Sequence, residues 1–387
     1  MARMTIVVAF VVLSVLAPVT RAQDIEKDWT SFLHYAAIGR FDMAVAHGNS
    51  ILQAQPQPAQ MFRLSEENPR GYAALLDMKA RSRNEELVDI AGRLLNIIDR
   101  GRYERRSDVT VISEEINRLS TTARGRLTAV ERLRDAGEYA VPLMLSALAD
   151  DARKDQFANI AGALGQMDKH AVRPLVAALQ TSNAGIKAEI IRALGEIRSP
   201  QALPYLKYVV ETSRLPTLVS IAANSVNEID PAARNVSAAD LFVSLARSYY
   251  NHSDALAPAT DGTNANIWFW DDTTAQLTRV PVDIRYFNEL MAMRACEWAL
   301  RADPAKGDAI GIWLAAYFKA ESTGLPMPPY FGENYADAAT YATIVGPEYV
   351  QHALAMALAD GNVYMMLGLI NALSATGGEA SMMRATG

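Results

Sequence analysis

Apolar residues recur along most of this chain at the three- and four-residue spacing of an amphipathic helix, interrupted by short polar or proline-bearing turns. Leu87, Ile90, Leu94, Leu95 and Ile98 form one such stripe, which predicts a helix over 84–98. The most regular stretch is 137–230, which reads as three units of one helix–turn–helix pattern laid end to end. The second half of each unit carries a small-large-small triplet: Ala163-Leu164-Gly165, Ala193-Leu194-Gly195 and Ser225-Val226-Asn227. Leu133, Leu164, Leu194 and Val226 follow one another at intervals of 31, 30 and 32 residues. Pro142, Pro174 and Pro204 mark the first half of each unit, where proline's fixed φ suits the first turn of a helix. A period of this size is the mark of a solenoid, because neither helix of such a hairpin buries its apolar stripe without a stacked neighbour.

The flanking regions are helical but differently patterned. Residues 23–57 predict a compact helical hairpin, broken at Gly39 and stopped at Pro56. Residues 58–136 read as a less regular helical connector. Within it, 100–106 is a basic cluster placed in a turn and diluted by Asp99, Glu104 and Asp108, and Ser113-Glu114-Glu115-Ile116 reads as a helix start. Beyond 230, Phe242, Leu245, Ala246 and Tyr249 open a hairpin that Ala292, Ala299, Leu300, Asp303 and Pro304 close. Region 231–304 is thus one split unit with an insertion over 251–282. Inside the insertion, 267–271 and 277–280 predict two short strands, a small β-hairpin near 267–280. Such a hairpin is marginal alone, so its aromatics must pack on the helices or on a partner. Over 305–387 a helix at 308–321 precedes a proline-rich loop and a helix from Pro347. Leu369-Ile370-Asn371-Ala372-Leu373 then repeats Ile190-Ile191-Arg192-Ala193-Leu194, and 379–387 reads as the start of another unit. No polar capping repeat follows, which leads to the expectation that the chain is a fragment or docks its C-terminal end on something.

The Ala-Val-x-Pro-Leu and Ala-Leu-Gly-x-(Ile/Met) motifs of the central units resemble the HEAT repeat family over about 122–230. The match is to its short form of roughly 30 residues, also seen in bilin-lyase-like proteins. Gly39-Arg40-Phe41-Asp42-Met43-Ala44 followed by Pro56 resembles the second half of a tetratricopeptide repeat, with Trp29 one place off its pattern, and the split unit at 231–304 is similar to another. The resemblance implies an all-α solenoid of helical hairpins carrying the β-hairpin as an insertion. Longer HEAT repeats open the second helix with Arg or Lys; here Phe157, Lys187 and Val219 hold that place, and only Lys187 keeps the charge.

In HEAT-like arrays the second helices line the concave surface, where extended peptides or partner helices lie. That implication selects Asn159, Gln166, Lys187, Arg192, Glu196, Asn224 and Glu228 as partner-binding residues. Trp268, Phe269 and Trp270 join them because tryptophan is enriched at binding hot spots. Each has a plainer alternative, since an amphipathic helix must have a solvated face and hairpin aromatics pack inward.

Composition narrows the function classes. Half of the 387 residues are hydrophobic and 21% are charged, enough for a sizeable apolar interior. The net charge of −6 argues against a nucleic-acid partner, which calls for a basic face. The lone Cys296 allows no internal disulfide and sits in an apolar helical run. Arg3, the apolar run 5–17 and the small residues Thr20 and Ala22 read as an export signal over 1–22, cleaved before Gln23. The mature chain is then periplasmic or extracellular, with no transmembrane span; the alternative is anchoring by an uncleaved N-terminal helix.

The chemistry is sparse. His34, His47, His170, His252 and His352 are scattered, with no metal-ligand spacing, although His34 and His47 could meet across the N-terminal hairpin. No phosphate loop, nucleophile elbow or catalytic constellation is recognised, and 261–266 lacks the acidic ligands of a calcium loop and reads as a flexible turn. No catalytic residue, metal or cofactor is assigned. The expectation is an exported, non-enzymatic helical-repeat scaffold for a protein or peptide partner. The alternatives are a bilin-lyase-like enzyme, suggested by the repeat type alone, or a structural segment of a larger cell-envelope assembly.

Overall fold

A computed structural model describes residues 17–258, 263–331 and 335–376, with side chains from Asp24 onward. Most of the signal read over 1–22, and the incipient repeat at 379–387, lie outside the described residues. The chain divides into two compact units, Met1–Asp108 and Val109–Gly387.

Among the described residues the first unit is five helices: α1 (Ala17–Ala37), α2 (Phe41–Gln53), α3 (Pro58–Glu67), α4 (Pro69–Arg81) and α5 (Glu85–Arg106). Gly39 turns α1 into α2 at φ +75°, a left-handed conformation that glycine adopts without a Cβ penalty. Asn84 caps α5 by accepting from the Leu87 amide at 3.0 Å. The stripe from Leu87 to Ile98 is buried against Trp29, Phe32, Ile51, Met61 and Leu75, so the stretch read as a connector shares one core with the opening hairpin. His47 stacks on Tyr35 at 5.5 Å and His34 meets the same ring edge-on at 5.4 Å, so the two histidines flank a tyrosine. His47 Nδ1 also lies 2.9 Å from Asp28 Oδ1.

One expectation fails here. The basic cluster at 100–106 is not a turn; it forms the last turns of α5. Gly101 ends nothing, because it lies where a Cβ would meet the Pro58 carbonyl oxygen at 2.0 Å. It lets α5 pass close to α3. Arg105 pairs with Glu66, and Arg102 lies over the rings of Phe62 and Tyr72 at 5.7 and 5.5 Å, so these bases serve packing within the unit.

The second unit opens with α6 (Val109–Arg118) and α7 (Ala123–Ala136). Ser113 does not start α6: Ile112 and Ile116 are both buried at helical spacing, so the helix must begin upstream. Buried Glu115 is paired with Arg118 and Arg132 at 2.9 and 2.6 Å. Three stacked hairpins follow, α8 (Ala140–Ala149) with α9 (Phe157–Gly165), α10 (Val172–Ala178) with α11 (Ala184–Ile197), and α12 (Leu203–Thr212) with α13 (Pro216–Ile229). The second helices stack as α9, α11 and α13. The glycine of the triplet makes this possible, since a Cβ on Gly195 would lie 2.6 Å from Ser225 Oγ and 3.1 Å from Ser225 Cα.

Helix α14 (Ala238–Tyr250) then leads to strands β1 (Asn264–Asp271) and β2 (Gln276–Asp283), and these to α15 (Ile284–Ala302). The strands pair antiparallel from Asn264 opposite Asp283 to Asp271 opposite Gln276; β1 starts earlier than the sequence indicates, and β2 is longer at both ends. Asn264 and Asn266, read as parts of a flexible turn, lie in β1, while 261 and 262 fall outside the described residues. Helices α14 and α15 pack together as the two halves of the split unit. The chain continues through α16 (Gly307–Glu321), α17 (Ala338–Ile344), α18 (Pro347–Asp360) and α19 (Val363–Ala375). The β-hairpin lies on the first helices of the repeats: β1 packs on α10 and α15, and β2 on α8, α10 and α15. The fold is therefore an all-α repeat solenoid carrying one β-hairpin insertion.

Candidate functional site

Helix α15 places Arg294, Glu297, Trp298 and Arg301 at the i, i+3, i+4 and i+7 spacing of a single stripe. That stripe faces the first helices α10 and α12 and the edge of the hairpin, and an open groove runs along it. Two adjoining recesses of about 470 and 350 Å³ make up the groove, sharing Gln180, Trp298 and Arg301. Both fall within the roughly 300–1,000 Å³ typical of ligand sites. The larger is lined by α10 and α12 through Val176, Leu179, Tyr205, Tyr208 and Val209, with Lys187 and Leu218 from the second helices. The smaller is lined by Phe269, Trp270, Leu290, Met293 and Arg294, and by Tyr330, Phe331 and Tyr335.

The aromatic walls are held in place by one another. Tyr205 and Tyr208 meet Trp298 edge-on at 5.8 and 5.3 Å, and Phe242 stacks beside Trp298 at 5.9 Å and 16°. Phe269 and Tyr330 lie 5.1 Å apart, and Phe331 adjoins both Tyr330 and Tyr335. Such contacts restrict the rings before any ligand arrives, which lowers the entropic cost of binding.

The groove is also cationic. The Arg301 guanidinium lies 4.4 Å from the Trp298 ring centre, and that of Arg294 lies 4.2 Å from Phe269. Burial lowers the pKa of Arg294 and of Lys187, because it disfavours the charged form. Two acids share the groove, Asp272 and Glu297. Glu297 accepts from Trp313 Nε1 at 3.1 Å. Crowding in its recess raises its carboxyl above the usual range, although water still reaches the side chain. A small third cavity of about 10 Å³ adjoins both recesses and is flanked by Arg173 and Arg294.

The residues singled out from sequence fall into two groups. Gln166, Arg192, Glu196, Asn224 and Glu228 are exposed along the stacked helices α9, α11 and α13. There they engage locally: Arg192 pairs with Glu189, Gln166 bonds back to the Gly162 carbonyl at 2.9 Å, and the Gln166 carbonyl accepts from Arg134. Asn159 donates to Ser120 Oγ at 3.3 Å. Lys187, Phe269 and Trp270 instead line the groove. Trp268 is 5% exposed, faces the small cavity and bonds to buried Glu138. The groove thus lies along the first helices, whereas most of the residues picked by repeat analogy lie along the second.

The α15 stripe was missed by sequence reasoning, which used this helix only for its apolar closing residues. Its signal was present in the four-residue spacing of Arg294 to Trp298 and the seven-residue spacing of Arg294 to Arg301. Among the described residues no group of three or more His, Cys, Asp or Glu is placed to hold a metal ion. No described helix is long and apolar enough to cross a membrane.

Residues 141–227 match the family model of HEAT repeats. The three stacked hairpins from α8 to α13 are therefore HEAT repeats. No curated protein matches the chain at a significant level.

Proposed function

We propose that this chain, with HEAT repeats at its centre, is an exported, non-enzymatic scaffold that holds an extended segment of a partner protein in the groove along α10, α12, α15 and the β-hairpin. Stacked helical repeats present extended binding surfaces of this kind. The observation that carries the reading is the run of mutually packed aromatic side chains along two continuous recesses. Rings such as Trp298 and Tyr208 offer large contact area with few rotamers to freeze, which is the profile of binding hot spots. The non-enzymatic part of the reading rests on the HEAT repeats matched over 141–227, whose stacked helices build extended binding surfaces. Export rests on the leader at 1–22, and N-terminal sequencing of the mature protein should then begin at Gln23.

The test is selection from a displayed library of random peptides on the purified protein, followed by titration of the selected sequences. Binding in the micromolar range that weakens at least tenfold in Trp298→Ala and in Arg301→Gln supports the groove. Selection of no peptide, or binding indifferent to both changes, contradicts it.

A further inference from the structure

Arg294 is half-buried, and its guanidinium has a buried Nη1 with no hydrogen-bond acceptor. Arginine carries five N–H donors and stays charged in proteins, so a buried donor left without an acceptor is costly. Its neighbours leave that demand open. The face of Phe269 offers π density at 4.2 Å but no lone pair. Glu297, one turn along α15, is turned to Trp313. Arg173, across the small cavity, has one unmatched donor, Nε, but its Nη1 donates to the Leu256 carbonyl at 3.3 Å. Arg294 also lines the smaller open recess, where an anion arriving from outside could meet its unmatched donor.

The wider charge pattern agrees. Arg173, Lys187, Arg214, Arg294 and Arg301 line the groove and its small cavity against two acids, on a chain whose net charge is −6. We infer that the groove recognises a carboxylate of the bound peptide, seated on Arg294 and flanked by the rings of Phe269 and Tyr330; this rests on the peptide-binding reading above. A carboxylate suits the site better than a phosphate. The guanidinium fork matches either, but Glu297 and Asp272 at the same groove penalise a dianion more heavily.

The carboxylate has two possible sources, an Asp or Glu side chain or the free C-terminus of the peptide. An array of octapeptides, probed with the full chain, separates them. Each binding sequence is synthesised in its parent form, with Asp and Glu replaced by Asn and Gln, and with the C-terminus as acid or amide. Neutralising one of the two carboxylate classes is expected to weaken binding at least tenfold. Arg294→Gln is expected to abolish that discrimination, while Arg285→Gln, exposed and outside the groove, preserves it. Arg294→Met is expected to melt no lower than the wild type, because it removes a donor that the fold leaves without an acceptor. Binding by the wild type that changes with neither neutralisation, or discrimination that survives Arg294→Gln, overturns the inference while leaving peptide binding intact. A much lower melting temperature for Arg294→Met would assign the side chain to the fold and also overturn it. Binding of no peptide at all removes the scaffold reading together with this one.

Discussion

The indole Nε1 of Trp268 donates to Oε2 of Glu138 at 2.8 Å, joining residues 130 positions apart in the chain. Asn266 Nδ2 donates to the other carboxylate oxygen at 2.6 Å and to the Tyr139 hydroxyl at 2.8 Å. Glu138 is only 1% exposed, so this one carboxylate pins β1 to the start of the first HEAT repeat. The tie explains why Trp268 is not a surface aromatic, and it fixes the hairpin that forms one wall of the groove. A two-stranded hairpin has little stability of its own, so its placement depends on such anchors.

Glu138→Ala strands two buried donors and is expected to cost about 3 kcal/mol, since hydrogen bonds to a buried charge contribute more than neutral ones. Urea denaturation measures the loss. Amide exchange over 264–271 is expected to accelerate more than exchange in α11.

The repeat glycines separate close packing from mere tolerance. Gly195 faces Ser225 at contact distance, and Ser225 Oγ itself donates to the Ile191 carbonyl at 3.1 Å. Gly195→Leu is expected to lower stability by about 1–3 kcal/mol through overpacking between α11 and α13. Gly162, within α9, has open space where a Cβ would stand. Gly162→Ala is expected to stabilise by about 0.5–1 kcal/mol through helix propensity. Thermal unfolding of the two variants should shift in opposite directions.

Asp283 caps α15 by accepting from the Arg285 amide at 2.9 Å and pairs with the Arg285 guanidinium at 3.0 and 2.8 Å. These bonds hold its carboxyl low, at about 2 against an ordinary 3.8. Above the ordinary value the carboxylate is charged whether the chain is folded or not, and its stabilisation is fully present. As pH falls from about 4 to about 2 the unfolded chain takes up the proton first, and the stabilisation is lost. Asp283→Asn keeps a competent cap but removes this titration, so its stability should change less between pH 5 and pH 3 than that of the wild type. Urea midpoints at the two pH values decide it.

What the sequence made legible follows from locality. The HEAT hairpins were readable because Leu164, Leu194 and Val226 recur at a nearly fixed interval and each triplet has a local packing reason. The β-hairpin was readable because Ile267, Trp268, Phe269 and Trp270 favour a strand wherever they fall. The cluster at 100–106 was misplaced in a turn because the close approach of Gly101 to Pro58 is a tertiary contact that no local pattern announces. The groove was hidden for the same reason. It needs Tyr208 of α12, Trp298 of α15 and Phe269 of β1 to meet, and the sequence places these residues far apart. Repeat analogy directed attention to the second helices, whereas the hairpin and α15 build their walls on the first.

These two faces give the most direct test of where a partner binds. Hydrogen–deuterium exchange of the full chain, with and without a peptide selected from the displayed library, maps the footprint. The expected result is added protection in α10, α12, α15 and the strands β1 and β2. Protection confined to α9 and α13, or along the face carrying Arg192, Glu196, Asn224 and Glu228, would contradict the groove and return the site to the second helices.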